Sequence, residues 1–179
     1  MHKVRTPFIV LAGLGFGVVC ISIYFAMKPN PEHVRLAKQF NATVEEVAML
    51  QEIEGKVDER GYEFPSDVEL LEVLVRSKSE TIQYKACRLL GFVGKVGEME
   101  RCARILYNVA SDESESDNIR YKALHALDKL AHDKALEVAN ANKGAEGENF
   151  GNAVDQLLSG MKVGFTNAEL GKEESVQSR

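Results

Sequence analysis

The chain has no tryptophan, only four prolines and only three cysteines in 179 residues. Scarce proline excludes the dense turn chemistry of a strand-rich protein. The cysteines (Cys20, Cys87 and Cys102) form no CxxC pair and no Cys/His cluster, so a zinc site lacks a ligand set. In a helical hairpin centred near Val96, Cys87 and Cys102 would be misaligned by roughly 5 Å, which favours two reduced thiols over a disulfide. No His-Glu dipeptide, HExxH run or nucleophile elbow occurs. The expectation is a non-enzyme without cofactor or metal.

Positive charge is also short. Of 22 basic residues, Lys3, Arg5 and Lys28 lie in a stretch without acid, leaving 19 against 27 acidic ones, about −8 for the remainder. A body this acidic, with no basic stripe, is unsuited to gripping phosphate backbones, so nucleic acid is not an expected partner.

Charge is missing altogether from Pro7 to Met27, a run of 21 residues. At ~1.5 Å per residue this reaches about 32 Å, close to the ~30 Å hydrocarbon core of a bilayer. Residues 7–27 are therefore expected to form a single transmembrane helix after a short basic tail, 1–6. The run ends in Tyr24-Phe25-Ala26-Met27-Lys28, a poor cleavage context, which favours an uncleaved anchor over a signal peptide. Lys3 and Arg5 on one flank nearly balance Lys28, Arg35 and Lys38 on the other. The short tail tips the count slightly toward an extracytoplasmic domain on a bacterial inner or plasma membrane. Gly13 and Gly17 form a GxxxG pair, candidates for packing two anchors into a homodimer.

Beyond Met27 the pattern is helical throughout. Residues 28–62 hold a juxtamembrane linker and a helical hairpin. Thr43 and Glu46 make a capping box ahead of an apolar stripe of Val44, Val47, Leu50, Ile53 and Val57. Pro65-Ser66-Asp67 opens a second region, 63–161, with Val68, Leu71, Leu74 and Val75 on one face. Met99, Cys102, Ile105, Leu106 and Val109 are expected to point inward in a later helix.

Two segments, TIQYKACRLLGFVG at 81–94 and NIRYKALHALDKLA at 118–131, align without gaps at a period of 37 residues. Ile82 matches Ile119, Tyr84-Lys85-Ala86 matches Tyr121-Lys122-Ala123, and Leu90 matches Leu127. A self-match at this period marks stacked helix pairs. The pattern resembles the HEAT repeat in Ile119-Arg120, Ala123 and Ala126-Leu127, and in Ala86, Leu90-Gly91 and Val93-Gly94 of the other copy. It departs from that repeat at Gln83, Asp128 and Ala131. The resemblance implies an all-α fold: an α-solenoid of antiparallel helix pairs behind the anchor. The resemblance fades into an expected third unit, Asp133 to Met161, interrupted by the Asn/Gly-rich NANKGAEGENFGN, with Ala153, Val154, Leu157 and Leu158 expected in its closing helix. The polar tail, 162–179, reads as disordered.

His125, Asp128 and His132 share a helical face, but about 10 Å along the axis separates the two histidines, too far for one ion. Gly91, Gly94 and Gly97 are spaced by three, but no strand precedes them and the HEAT-like turn accounts for two of them, so a phosphate loop is not expected. Asp112, Glu113, Glu115 and Asp117 crowd one loop and are candidates for electrostatic docking. The neighbouring helices are expected to expose Gln83, Arg88, Arg120 and Lys129. Together these features suggest a membrane-anchored scaffold or adaptor for an unidentified protein partner. The alternatives are a secreted or lipid-anchored repeat protein and an accessory subunit of a larger membrane complex.

Overall fold

A computed structural model describes residues 29–60, 66–93, 98–161 and 163. Among them the protein is all-helical, with eight helices and no strand. No helix of the described residues is long and apolar enough to cross a membrane. The apolar segment 7–27, with Gly13 and Gly17, lies outside them, as do residue 162 and the rest of the tail after Val163.

The helices follow from local signals. α1 (Pro31–Phe40) starts on Asn30, whose side chain accepts the Glu32 N–H, and has Pro31 at its first position. It ends at Asn41 with a left-handed φ of 51°. α2 (Val44–Arg60) opens on the expected capping box. The Thr43 N–H donates to Glu46 Oε2 at 2.7 Å, and the Glu46 N–H donates to Thr43 Oγ1 at 3.1 Å. α3 (Ser66–Leu74) leads into α4 (Glu80–Val93), which Ser79 immediately precedes. The Ser79 hydroxyl accepts the Ile82 N–H at 3.3 Å and donates to the Phe40 carbonyl, tying the end of α1 to the start of α4. α5 (Met99–Ser111), α6 (Asp117–Leu130), α7 (His132–Ala141) and α8 (Phe150–Leu158) complete the order.

Each helix packs on its neighbour in sequence from α1 to α8. Alternate helices also meet: α2 on α4, α4 on α6, α6 on α8 and α5 on α7. α4 and α6 form the heaviest of these alternate contacts, and they carry the self-matching segments. Ile82, Ala86 and Leu90 of α4, like Ile119, Ala123 and Leu127 of α6, have no solvent exposure. Gly91 permits the close approach between the two helices. A Cβ built there would stand 3.1 Å from Ala126 Cβ, tighter than an unstrained contact. The α8 face of Ala153, Val154 and Leu157 is buried as expected, with Leu158 packed at its edge. Replacing Ala86 or Ala123 with leucine is expected to cost about 1–3 kcal/mol by overpacking, read as a lower urea midpoint in each variant.

Met99 departs from the expected inward face. It is 54% exposed at the first position of α5. Cys87 and Cys102 are free and buried, in α4 and α5.

Salt bridges fix the helices at defined heights. Lys85 of α4 reaches Glu54 of α2 at 3.0 Å, and Arg101 of α5 reaches Glu72 of α3 at 3.0 Å. Lys56 of α2 reaches the buried Asp67 of α3 at 3.1 Å.

Candidate functional site

The acidic segment between α5 and α6 does not stand free as a single charged loop. Its four carboxylates have separate tasks. Asp112 folds back on its own turn, its Oδ1 accepting from the Ser114 N–H at 2.9 Å and the Ser114 hydroxyl at 2.6 Å. Those two bonds hold its carboxyl below the usual carboxylate range. Glu113 is exposed. Glu115 accepts from Gln83 Nε2 with both oxygens, at 3.2 and 3.1 Å, bridging the loop to α4.

Asp117 does something no local pattern announces. It begins α6 and also receives the N–H groups of Asn149 and Phe150, both at 3.0 Å, at the start of α8. A carboxylate there satisfies donors that have no partner within the helix and lies at the positive end of its dipole. Ser116 caps α6, accepting the Ile119 N–H at 3.4 Å, and its hydroxyl donates to Glu80 at 2.8 Å. The loop is thus a junction of three helices, with Asp112 and Glu113 its outward charges.

The neighbouring cations divide similarly. Arg88 and Lys129 are exposed, as expected, whereas Gln83 and Arg120 are half-buried. Arg120 donates to the Ala110 carbonyl at 3.1 Å and to Asn142 at 2.6 Å, and its guanidinium lies 4.0 Å from the Phe150 ring centre. It is a structural clamp between α5, α6 and α8.

A second feature, not anticipated from sequence, is an open groove of about 630 Å³ lined by Glu46, Glu69, Glu72, Val73, Arg76, Ser77 and Arg101. Val73 is 59% exposed on its floor. Arg101 binds Glu72 at 3.0 Å and Glu69 at 3.6 Å, and Arg76 stands 3.6 Å from Glu72. Burial alone would raise the Glu46 carboxyl, but hydrogen bonds from Ser77 and from the Thr43 backbone and hydroxyl more than offset this and hold it low. The charged side chains of the groove are paired with one another around the exposed Val73, which suits reversible contact better than chemistry. Glu69 and Glu72 come from α3 and Arg101 from α5, so no local pattern in the sequence marks it.

His125, Asp128 and His132 do not converge on a metal. His132 Nδ1 stands 2.6 Å from Asp128 Oδ1, while His125 is buried and stacked on Tyr121, ring centres 5.9 Å apart. No cluster of metal-binding side chains occurs among the described residues. Asp67 is a buried carboxylate whose Oδ2 has no hydrogen-bond partner, and Lys56 is what compensates it. Lys56→Met is expected to destabilise by about 2–3 kcal/mol, at or below the low end for a broken buried pair because the lysine end is partly solvated. Adding Asp67→Leu should recover most of that loss; a double-mutant cycle in urea measures the coupling.

No family model, curated protein or solved structure matches the chain.

Proposed function

We propose that the chain is a non-catalytic protein-interaction module: a short HEAT-like α-solenoid held at a membrane by residues 7–27. The observation that carries this reading is the equivalence of the two self-matching helices. Ile82, Ala86 and Leu90 in α4 and Ile119, Ala123 and Leu127 in α6 are all buried, and the two helices lie side by side. Alternate-helix packing from α2 through α8 extends the same relation. Stacked helix pairs present extended surfaces for docking, and recognition then falls to exposed side chains of one layer. Asp112 and Glu113, and the Glu69–Arg76 groove, offer surfaces for it. The uncharged length of 7–27 supports the anchor.

In-membrane crosslinking of the full chain, followed by identification of captured proteins, tests the module. A defined partner whose capture falls with Asp112→Asn/Glu113→Gln or with Arg76→Glu supports the reading. Carbonate extraction tests the anchor separately: release of the intact chain from membranes removes it while leaving the module standing.

A further inference from the structure

The two ends of the helical body differ, and contacts between helices fix which residues lie at each. α2 and α4 run parallel: Ser77, just ahead of α4, meets Glu46 at the start of α2, and Lys85 further along α4 meets Glu54 further along α2. α4 and α6 are parallel too, with Glu80 against Ser116 at their starts and Gly91 against Ala126 toward their ends. α6 and α8 repeat this through Asp117 with Phe150 and Asp128 with Val163. The helices between them run back. Lys56 late in α2 meets Asp67 at the start of α3, the Ala110 carbonyl at the end of α5 meets Arg120 early in α6, and His132 at the start of α7 meets Asp128 late in α6. One end of the body therefore gathers the starts of α2, α4, α6 and α8, and the other gathers their ends with the starts of α3, α5 and α7. α1 packs back on α2 across residues 41–43, its last residue held to Ser79 ahead of α4, so its start is directed to the second end.

The first end carries the acidic loop, with Asp112 and Glu113 exposed. The second carries exposed apolar side chains: Phe92 near the end of α4 (46% exposed), Met99 at the start of α5 (54%) and Met161 just past α8 (56%). Of the large apolar side chains exposed among the described residues, only Val73 lies elsewhere, late in α3 in the groove. We propose that the second end rests on the bilayer surface, with Phe92, Met99 and Met161 set into its headgroup region. This placement depends on residues 7–27 being a membrane anchor, as proposed above. That charge-free run stops at Met27, four residues before α1 begins at Pro31, a reach of at most about 14 Å when fully extended. The bilayer surface then lies within that distance of the start of α1, on the side of the three apolar side chains. Measured from Phe40 and Ser79, which meet, α1 rises about 14 Å to Pro31 and α4 about 18 Å to Phe92, so Phe92 stands the nearer to the lipid. Charges of both signs are exposed at this end, Arg88, Lys129 and His132 with Glu100 and Asp133, so no headgroup charge is selected and apolar contact with a zwitterionic surface suffices. The Arg88 guanidinium, 5.9 Å from the Phe92 ring centre, is placed to stay among the headgroups while the ring enters. Docked in this way, the body turns its acidic loop away from the lipid.

The chain has no tryptophan, so a single one reports its own surroundings. Phe92→Trp, Met99→Trp, Met161→Trp and Val73→Trp are each made in the full chain and reconstituted in phosphatidylcholine vesicles, with and without bromine on the upper part of the acyl chains. The expected result is about a twofold loss of emission in brominated vesicles for the first three and none for Val73→Trp, whose side chain is comparably exposed toward the opposite end. Val73→Trp also shows whether tryptophan by itself draws the body onto lipid: equal quenching there overturns the proposal. Absence of quenching at 92, 99 and 161, in a chain that carbonate leaves in the vesicles, overturns it while the anchor stands. Release of the chain by carbonate removes the anchor and the proposal together. Blue-shifted emission at the three positions that bromine does not quench, and that reverts as the protein is diluted in lipid, assigns this end to a second copy and overturns lipid docking.

Discussion

Replacing Phe150 with alanine is expected to remove about 3–5 kcal/mol of stability, the range for truncating a fully buried aromatic. The ring is 1% exposed and supports the Arg120 guanidinium at 4.0 Å. Its loss opens a cavity at the start of α8 and leaves the Arg120 clamp without its stacking surface. The Phe150 N–H still reaches Asp117, so the helix start is retained and the damage falls on packing. Urea denaturation followed by helical circular dichroism measures it: a fall in midpoint with an unchanged slope is expected. A loss below 1 kcal/mol would mean that α8 is not integral to the folded body.

His125 makes stability depend on acidity. In the unfolded chain its imidazole binds a proton near pH 6.5; in the folded chain burial holds that down to about 4. Between these values the unfolded state carries more protons, so stability rises with pH. The contribution is fully present above about pH 6.5 and is lost progressively as the pH falls toward 4. A separation of this size corresponds to about 3 kcal/mol. His125→Gln keeps a polar, uncharged side chain and should flatten the dependence. Melts of both proteins at pH 7.5, 5.5 and 4.5 test this: equal slopes would show that other groups govern acid sensitivity.

Local features of the fold were legible in the sequence, and distant ones were not. The capping box of Thr43 and Glu46 is closed within four residues, and both of its hydrogen bonds form. The 37-residue self-match places Ala86 and Ala123 at buried, equivalent positions, because helix contact selects small side chains at a fixed period. Leu157 was likewise readable from the apolar face of α8. Arg120, by contrast, looks like a surface cation within its own helix. Only the approach of Phe150, thirty residues later, makes it a clamp. Asp117 reads as one more acid in a solvated loop, yet it joins backbone groups 32 and 33 residues away. Helical periodicity carries no information on such pairs. Met99 has the spacing of a core residue, but it opens its helix and is 54% exposed.

The two buried thiols have a consequence for where such a body can work. Burial pushes Cys87 up to about 12, with Glu115 adding to it, and Cys102 up to about 11, with Glu98 adding to it. Disulfide exchange and peroxide oxidation both proceed through the thiolate, which neither sulfur supplies at neutral pH. At these two positions the helical body therefore keeps its thiols in one covalent form in a reducing or an oxidising medium alike.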